Sequence, residues 1–133
     1  MRSKSDIEAK TLRILRSLNF EVTGYYPYEH ATNLVGNLKL PEPFTTPIKT
    51  AVEIAKRPIS RESVESFANF GRNILAQKLA IFYEDDFGNL DEDVRSTTSA
   101  LKIDYIGGER LRKALSRSTV TPKEARRYRN SLD

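Results

Sequence analysis

Cysteine and tryptophan are both absent from this chain, and histidine occurs once, at His30. Without Cys there is no disulfide scaffold, thiolate zinc site, iron–sulfur cluster or thiol nucleophile. A lone His rules out a multi-histidine metal site and ties any His-based triad to His30, which reads as a turn residue. No apolar run approaches the roughly 18–20 residues of a membrane span. The opening Met1-Arg2-Ser3-Lys4-Ser5-Asp6-Ile7-Glu8 has basic groups with no apolar run behind them. It does not read as a signal peptide, so the expectation is a cytoplasmic protein with no membrane partner. The glycines at 24, 36, 71, 88, 107 and 108 fit neither the dinucleotide fingerprint nor the P-loop spacing.

What is present is a globular composition. The 133 residues are 38% hydrophobic and 30% charged, with six Tyr and six Phe to fill a core. That length suits one domain of ordinary size, placed over 1–115, with 116–133 as a basic tail or short helix. Residues 5–18 predict an amphipathic helix with Ile7, Thr11, Ile14, Leu15 and Leu18 on one face and Ser5 and Glu8 as a capping box. Strand composition follows at 20–26, 32–40 and 48–56, and the Pro41–Pro47 run between the last two is a loop. Ser60 is a good N-cap for a second helix whose stripe is Val64, Phe67, Ala68, Gly71, Ile74 and Leu75. An interior strand at 79–83, a short helix at 90–100, a strand at 102–106 and a helix at 109–115 complete the order. Three hairpin-connected strands followed by helical crossovers argue for an α/β fold, a mixed central sheet flanked by helices.

The carriers of a family resemblance are Asn33-Leu34-Val35-Gly36, Ala51-Val52-Glu53-Ile54-Ala55-Lys56-Arg57-Pro58, the helix with Val64, Phe67 and Phe70, and the closing Ile103–Leu111. With the element order, they resemble the restriction-endonuclease-like fold, and more narrowly the Mrr type of PD-(D/E)XK nucleases, over about residues 5–115. In that family an Asp on the second strand and a Glu or Gln on the third hold a divalent cation. A Lys two residues after the Glu activates the attacking water, because residues i and i+2 of a strand share a face. The resemblance therefore implies Glu53 and Asn33 as metal positions, with Glu8 as an added helix carboxylate, and Mg²⁺ or Mn²⁺ as the cofactor if the centre is active. It implies Glu53, Asn33, Ala55 and Lys56 as the catalytic positions.

The chain departs from the pattern twice: Asn33 replaces the Asp and Ala55 replaces the Lys. Lys56 comes one residue late and faces away from Glu53 unless a β-bulge turns it round. The alternative reading of Glu53 and Lys56 is as ordinary charges at a strand end. Between 109 and 130, eight Lys and Arg stand against two Glu, an excess larger than the +4 of the whole chain. Arg126, Arg127 and Arg129, with Arg13 and Arg16 on the first helix, are the expected phosphate contacts, and duplex DNA is the expected partner. The acidic group Glu84, Asp85, Asp86, Asp91, Glu92 and Asp93 reads as loop and helix-cap residues.

These features lead to a DNA-associated nuclease-fold protein whose metal-dependent phosphodiesterase centre is crippled, naturally or by mutation. An active divalent-metal-dependent DNA endonuclease and a non-enzymatic, protein-binding assembly subunit are the alternatives. Nucleases of this fold often pair to cut two strands, so the resemblance also allows a homodimer.

Overall fold

A computed structural model describes residues 5–118. Helix α1 (Ser5–Ser17) leads into β1 (Phe20–Pro27), β2 (Ala31–Leu38) and β3 (Ile48–Ala55). Helix α2 (Arg61–Asn73), β4 (Lys78–Tyr83), a 3-10 turn at Phe87–Asn89, α3 (Glu92–Ala100), β5 (Asp104–Gly107) and α4 (Gly108–Ser116) follow. The five strands lie in sequence order across one sheet. The first three form an antiparallel meander, and β3, β4 and β5 run parallel. The expected element order and the mixed sheet flanked by helices are both present.

The two parallel connections run through α2 and α3 in the same direction across the sheet, so equal handedness puts both helices on one face. Val64, Phe67 and Ala68 of α2 and Val94 of α3 pack there against Ala51, Ile81 and Tyr105. On the other face Ile7, Leu12 and Leu15 of α1 and Leu111 of α4 pack on Leu34, Val52, Ile54, Ala80 and Phe82. The strict alternation of β3 (Ala51 to one side, Val52 and Ile54 to the other) makes it the buried middle of three layers. Ser60 caps α2 as expected, accepting from Ser63 N at 3.1 Å, while Ser63 Oγ accepts from Ser60 N at 2.9 Å.

Two stripes overran their helices. Leu18 was expected on the apolar face of α1 and is 51% exposed, and Leu75 was expected on that of α2 and is 79% exposed. Both lie past the last helical residue, where the backbone turns left-handed: φ is 57° at Asn19 and 60° at Leu75. Periodicity continues in the letters after the helix that gives it meaning has ended. The strand expected at 102–106 begins at Asp104, because Lys102 (φ 56°) is still part of the turn that closes α3.

The ladder between β2 and β3 is regular from Ala31↔Ala55 to Leu38↔Ile48. The irregularity is in β1, where Val22 and Gly24 face Gly36 and Val35, so Thr23 is an extra residue. Gly36 sits beside this bulge, and a Cβ there would strike the carbonyl of Glu21 and the ring of Phe20. Glycine is required at Gly108 as well: its φ is +55°, and a Cβ would collide with Asp86, whose Oδ1 accepts from Glu109 N at 2.7 Å.

Candidate functional site

Because the β2–β3 ladder is regular, its parity sorts the candidate residues. Asn33 lies directly opposite Glu53, and Ala55 lies opposite Ala31 two positions along, so these residues share the α2 side of the sheet. No bulge turns Lys56 towards them. Its ammonium lies 3.9 Å from Glu8 Oε1, on the α1 side, and donates to the carbonyl of Tyr28 at 3.3 Å. Lys56 as a partner of Glu53 is therefore corrected, and so is Glu8 as a ligand beside Glu53 and Asn33. The sheet stands between them.

On the α1 side, Glu8 is buried and accepts from Thr32 Oγ1 at 2.8 Å and from Tyr25 OH at 3.4 Å. Its position on the helix explains this. Ile7, Thr11, Leu12 and Leu15 form the stripe that meets the sheet, so an acid at position 8 is carried inward with them. Thr32 pairs with Ile54 across the ladder. Around Glu8 the face thus holds one ammonium and two hydroxyls, with the hydrocarbon of Ile54 two residues before the lysine. The Lys56 and Glu8 side chains are only 15% and 6% exposed, so their opposite charges face each other largely out of water.

On the α2 side, Glu53 is 8% exposed and has no hydrogen-bond or ion-pair partner among the described residues. Burial pushes its carboxyl pKa from 4.5 up to about 7. The Oδ1 of its neighbour Asn33 is likewise buried without a partner. In front of Glu53 a cleft of about 500 Å³ runs between the ends of β2 and β3 and the start of α2, past His30, Ala55, Arg57, Ser60 and Ser63. β3 ends at Ala55, the chain bends at Lys56 and Arg57, and Pro58 then leads to the Ser60 cap. Arg57 leans outward to an exposed pair with Glu29 at 2.6 Å.

Neither face suits a divalent cation. A hard cation wants several oxygen ligands, with carboxylates supplying the charge. Each side has one acid, and that of the α1 side is already engaged. Among the described residues no group of three or more His, Cys, Asp or Glu could hold a metal ion.

Of the expected phosphate contacts, Arg13 is half-buried and Arg16 is exposed on α1. Arg126, Arg127 and Arg129 lie outside the described residues. Arg110, Lys113 and Arg117, at and just after α4, are exposed, and α4 packs beside α1. Arg112 is engaged with Glu109 at 2.6 Å. Asp91 stands at the N-cap position of α3 without a side-chain cap hydrogen bond, Glu92 and Asp93 fill its first turn, and Glu84 meets Lys10 at 3.5 Å.

Sequence reasoning missed Thr32 and Tyr25 as partners of Glu8, although an acid on a buried stripe was a signal that it needed donors. It also missed Arg57, Ser60 and Ser63 as the wall facing Glu53. No described helix is long and apolar enough to cross a membrane. No protein-family model matches the chain, and no curated protein matches it either.

Proposed function

We propose that the chain is a DNA-associated protein of restriction-endonuclease-like, Mrr-type architecture whose phosphodiesterase centre no longer assembles. The order of helix, three-strand meander, helix and parallel strand supports the architecture. One observation carries the loss of chemistry: the acid and the lysine that the reaction needs together lie on opposite sides of the β2–β3 ladder. Glu53 has Asn33 and Ala55 for company, and Lys56 has Thr32 and Ile54. Each face keeps half of a centre, and half a centre neither gathers a cation nor activates a water. The basic residues of α1, α4 and the segment that follows support contact with DNA phosphates.

Titrating the full chain onto labelled duplex DNA across a range of salt tests the reading. Binding should weaken steeply as salt rises, and joint replacement of Arg126, Arg127 and Arg129 should flatten that dependence by up to about three phosphate equivalents. With Mg²⁺ or Mn²⁺ present the duplex should remain intact. Robust cleavage would instead identify an active endonuclease, and absence of DNA binding at low salt would favour the protein-binding subunit. Asn33→Asp with Ala55→Lys sharpens the test, since it places two acids and a lysine on the α2 side. Metal-dependent cleavage that appears only in the double variant, and vanishes with Glu53→Ala, would locate the abandoned centre there.

A further inference from the structure

The α2 side of the ladder holds an acid without a partner at the back of an open cleft. Proteins rarely leave a buried carboxyl uncompensated, because the missing hydrogen bonds cost free energy. Glu53 has neither a donor nor a counter-charge among the described residues, and Asn33 beside it has an unpartnered buried carbonyl oxygen. Nothing on β2, β3 or α2 fills the space in front of Glu53, since Ala31 and Ala55 stop at Cβ.

We infer that this cleft is a nucleotide site, taking a guanine-type base edge against Glu53 and the phosphate at the start of α2. A carboxylate offers two acceptor oxygens side by side. Guanine presents a ring N–H and an amino group on one edge, two adjacent donors that match both oxygens. Adenine and cytosine place an acceptor beside their donor, and uracil sets one donor between two acceptors, so each would leave an oxygen unpaired or facing another.

The other end of the cleft favours negative charge. The first bond within α2 runs from Val64 N to Ser60 O, so the amides of Arg61 and Glu62 precede it at the positive end of a 13-residue helix. Ser60 and Ser63 contribute hydroxyls, and Arg57 can exchange its solvent-exposed pair with Glu29 for a phosphate. A cleft of about 500 Å³ falls inside the range of small-ligand sites, roughly 300–1,000 Å³. With its pKa near 7, Glu53 is ionised in a large share of molecules at neutral pH, and two N–H donors would draw the remainder into that form. The inference does not rest on the duplex-DNA reading, and either can fail while the other stands.

Calorimetric titration of the full chain with guanosine 5′-monophosphate, set against the adenosine, cytidine and uridine monophosphates and against guanosine, is the test. The guanine nucleotide should bind at least about tenfold more tightly than the other three, as sites built on hydrogen bonds reject mismatched edges. Guanosine should bind more weakly than its monophosphate, and Arg57→Ala should shrink that difference. Glu53→Gln should lose at least about tenfold in affinity while its unfolding temperature stays equal or rises, so that lost binding is not lost folding. Equal binding of all four nucleotides, no binding at millimolar concentration, or an unchanged affinity in Glu53→Gln would each overturn the inference.

Discussion

On the α1 side of the β2–β3 ladder, Glu8 meets a threonine hydroxyl, a tyrosine hydroxyl and a lysine ammonium. On the α2 side, Glu53 is buried almost as deeply and meets none of these. One carboxylate is therefore part of the packing, and the other is held at a cost the fold must meet elsewhere. A buried acid can be structural or available, and its partners decide which. Depth alone does not separate the two.

The variants that test this contrast run from large effects to small. Phe67→Ala removes the largest side chain packed under α2 and should destabilise by about 3–5 kcal/mol in denaturant unfolding. A loss well under 1 kcal/mol would mean that α2 does not hold the α2 side closed. Lys56→Ala should come next, at about 3 kcal/mol, because it removes a positive charge that faces the buried Glu8 carboxylate. If Lys56→Ala were neutral, the α1-side cluster would be as loosely compensated as Glu53, and the contrast would collapse.

Glu53→Gln should act in the opposite direction. The folded protein holds the Glu53 proton up to about pH 7, while the unfolded chain releases it near 4.5. Between those values the native state binds more protons, so this group lowers stability progressively as pH rises and the penalty levels off above pH 7. The Gln variant should match the parent near pH 4 and exceed it by about 3 kcal/mol at pH 8, as read from paired unfolding curves. Parallel curves at all pH values would show that Glu53 has a partner after all. Smallest is Ser60→Ala, about 1 kcal/mol from loss of the α2 cap, which should leave the α1-side cluster untouched.

The architecture was legible because several local signals agreed. The stripe through Val64, Phe67 and Ala68, the Ser60 cap, the Pro41–Pro47 break and the apolar run at 79–83 each specify one element, and their order restricts the sheet. The sides on which residues fall were only half legible. Parity alone placed Asn33 with Glu53 and turned Lys56 away. The inward turn of Glu8 required reading an acid as a member of an apolar stripe, and the Glu53 cleft required three distant segments, at His30, Ala55 and Ser60, to meet. No local pattern encodes such a meeting. The stripes failed at Leu18 and Leu75 for the converse reason, since a left-handed turn cancels a helical phase without leaving a mark in hydrophobicity.

The extra residue in β1 has a consequence for how copies of this chain can meet. Among the described residues both margins of the sheet are unpaired, and an open margin is a template on which another chain can add a strand. Thr23 interrupts one margin by breaking the even spacing of β1, and Pro27 withholds an amide donor at its end. The other margin, β5, is four residues long and passes straight into α4. Neither rim offers the long flat ribbon that sheet-to-sheet growth requires. Edge-to-edge pairing of two copies through this sheet is thereby disfavoured at both rims.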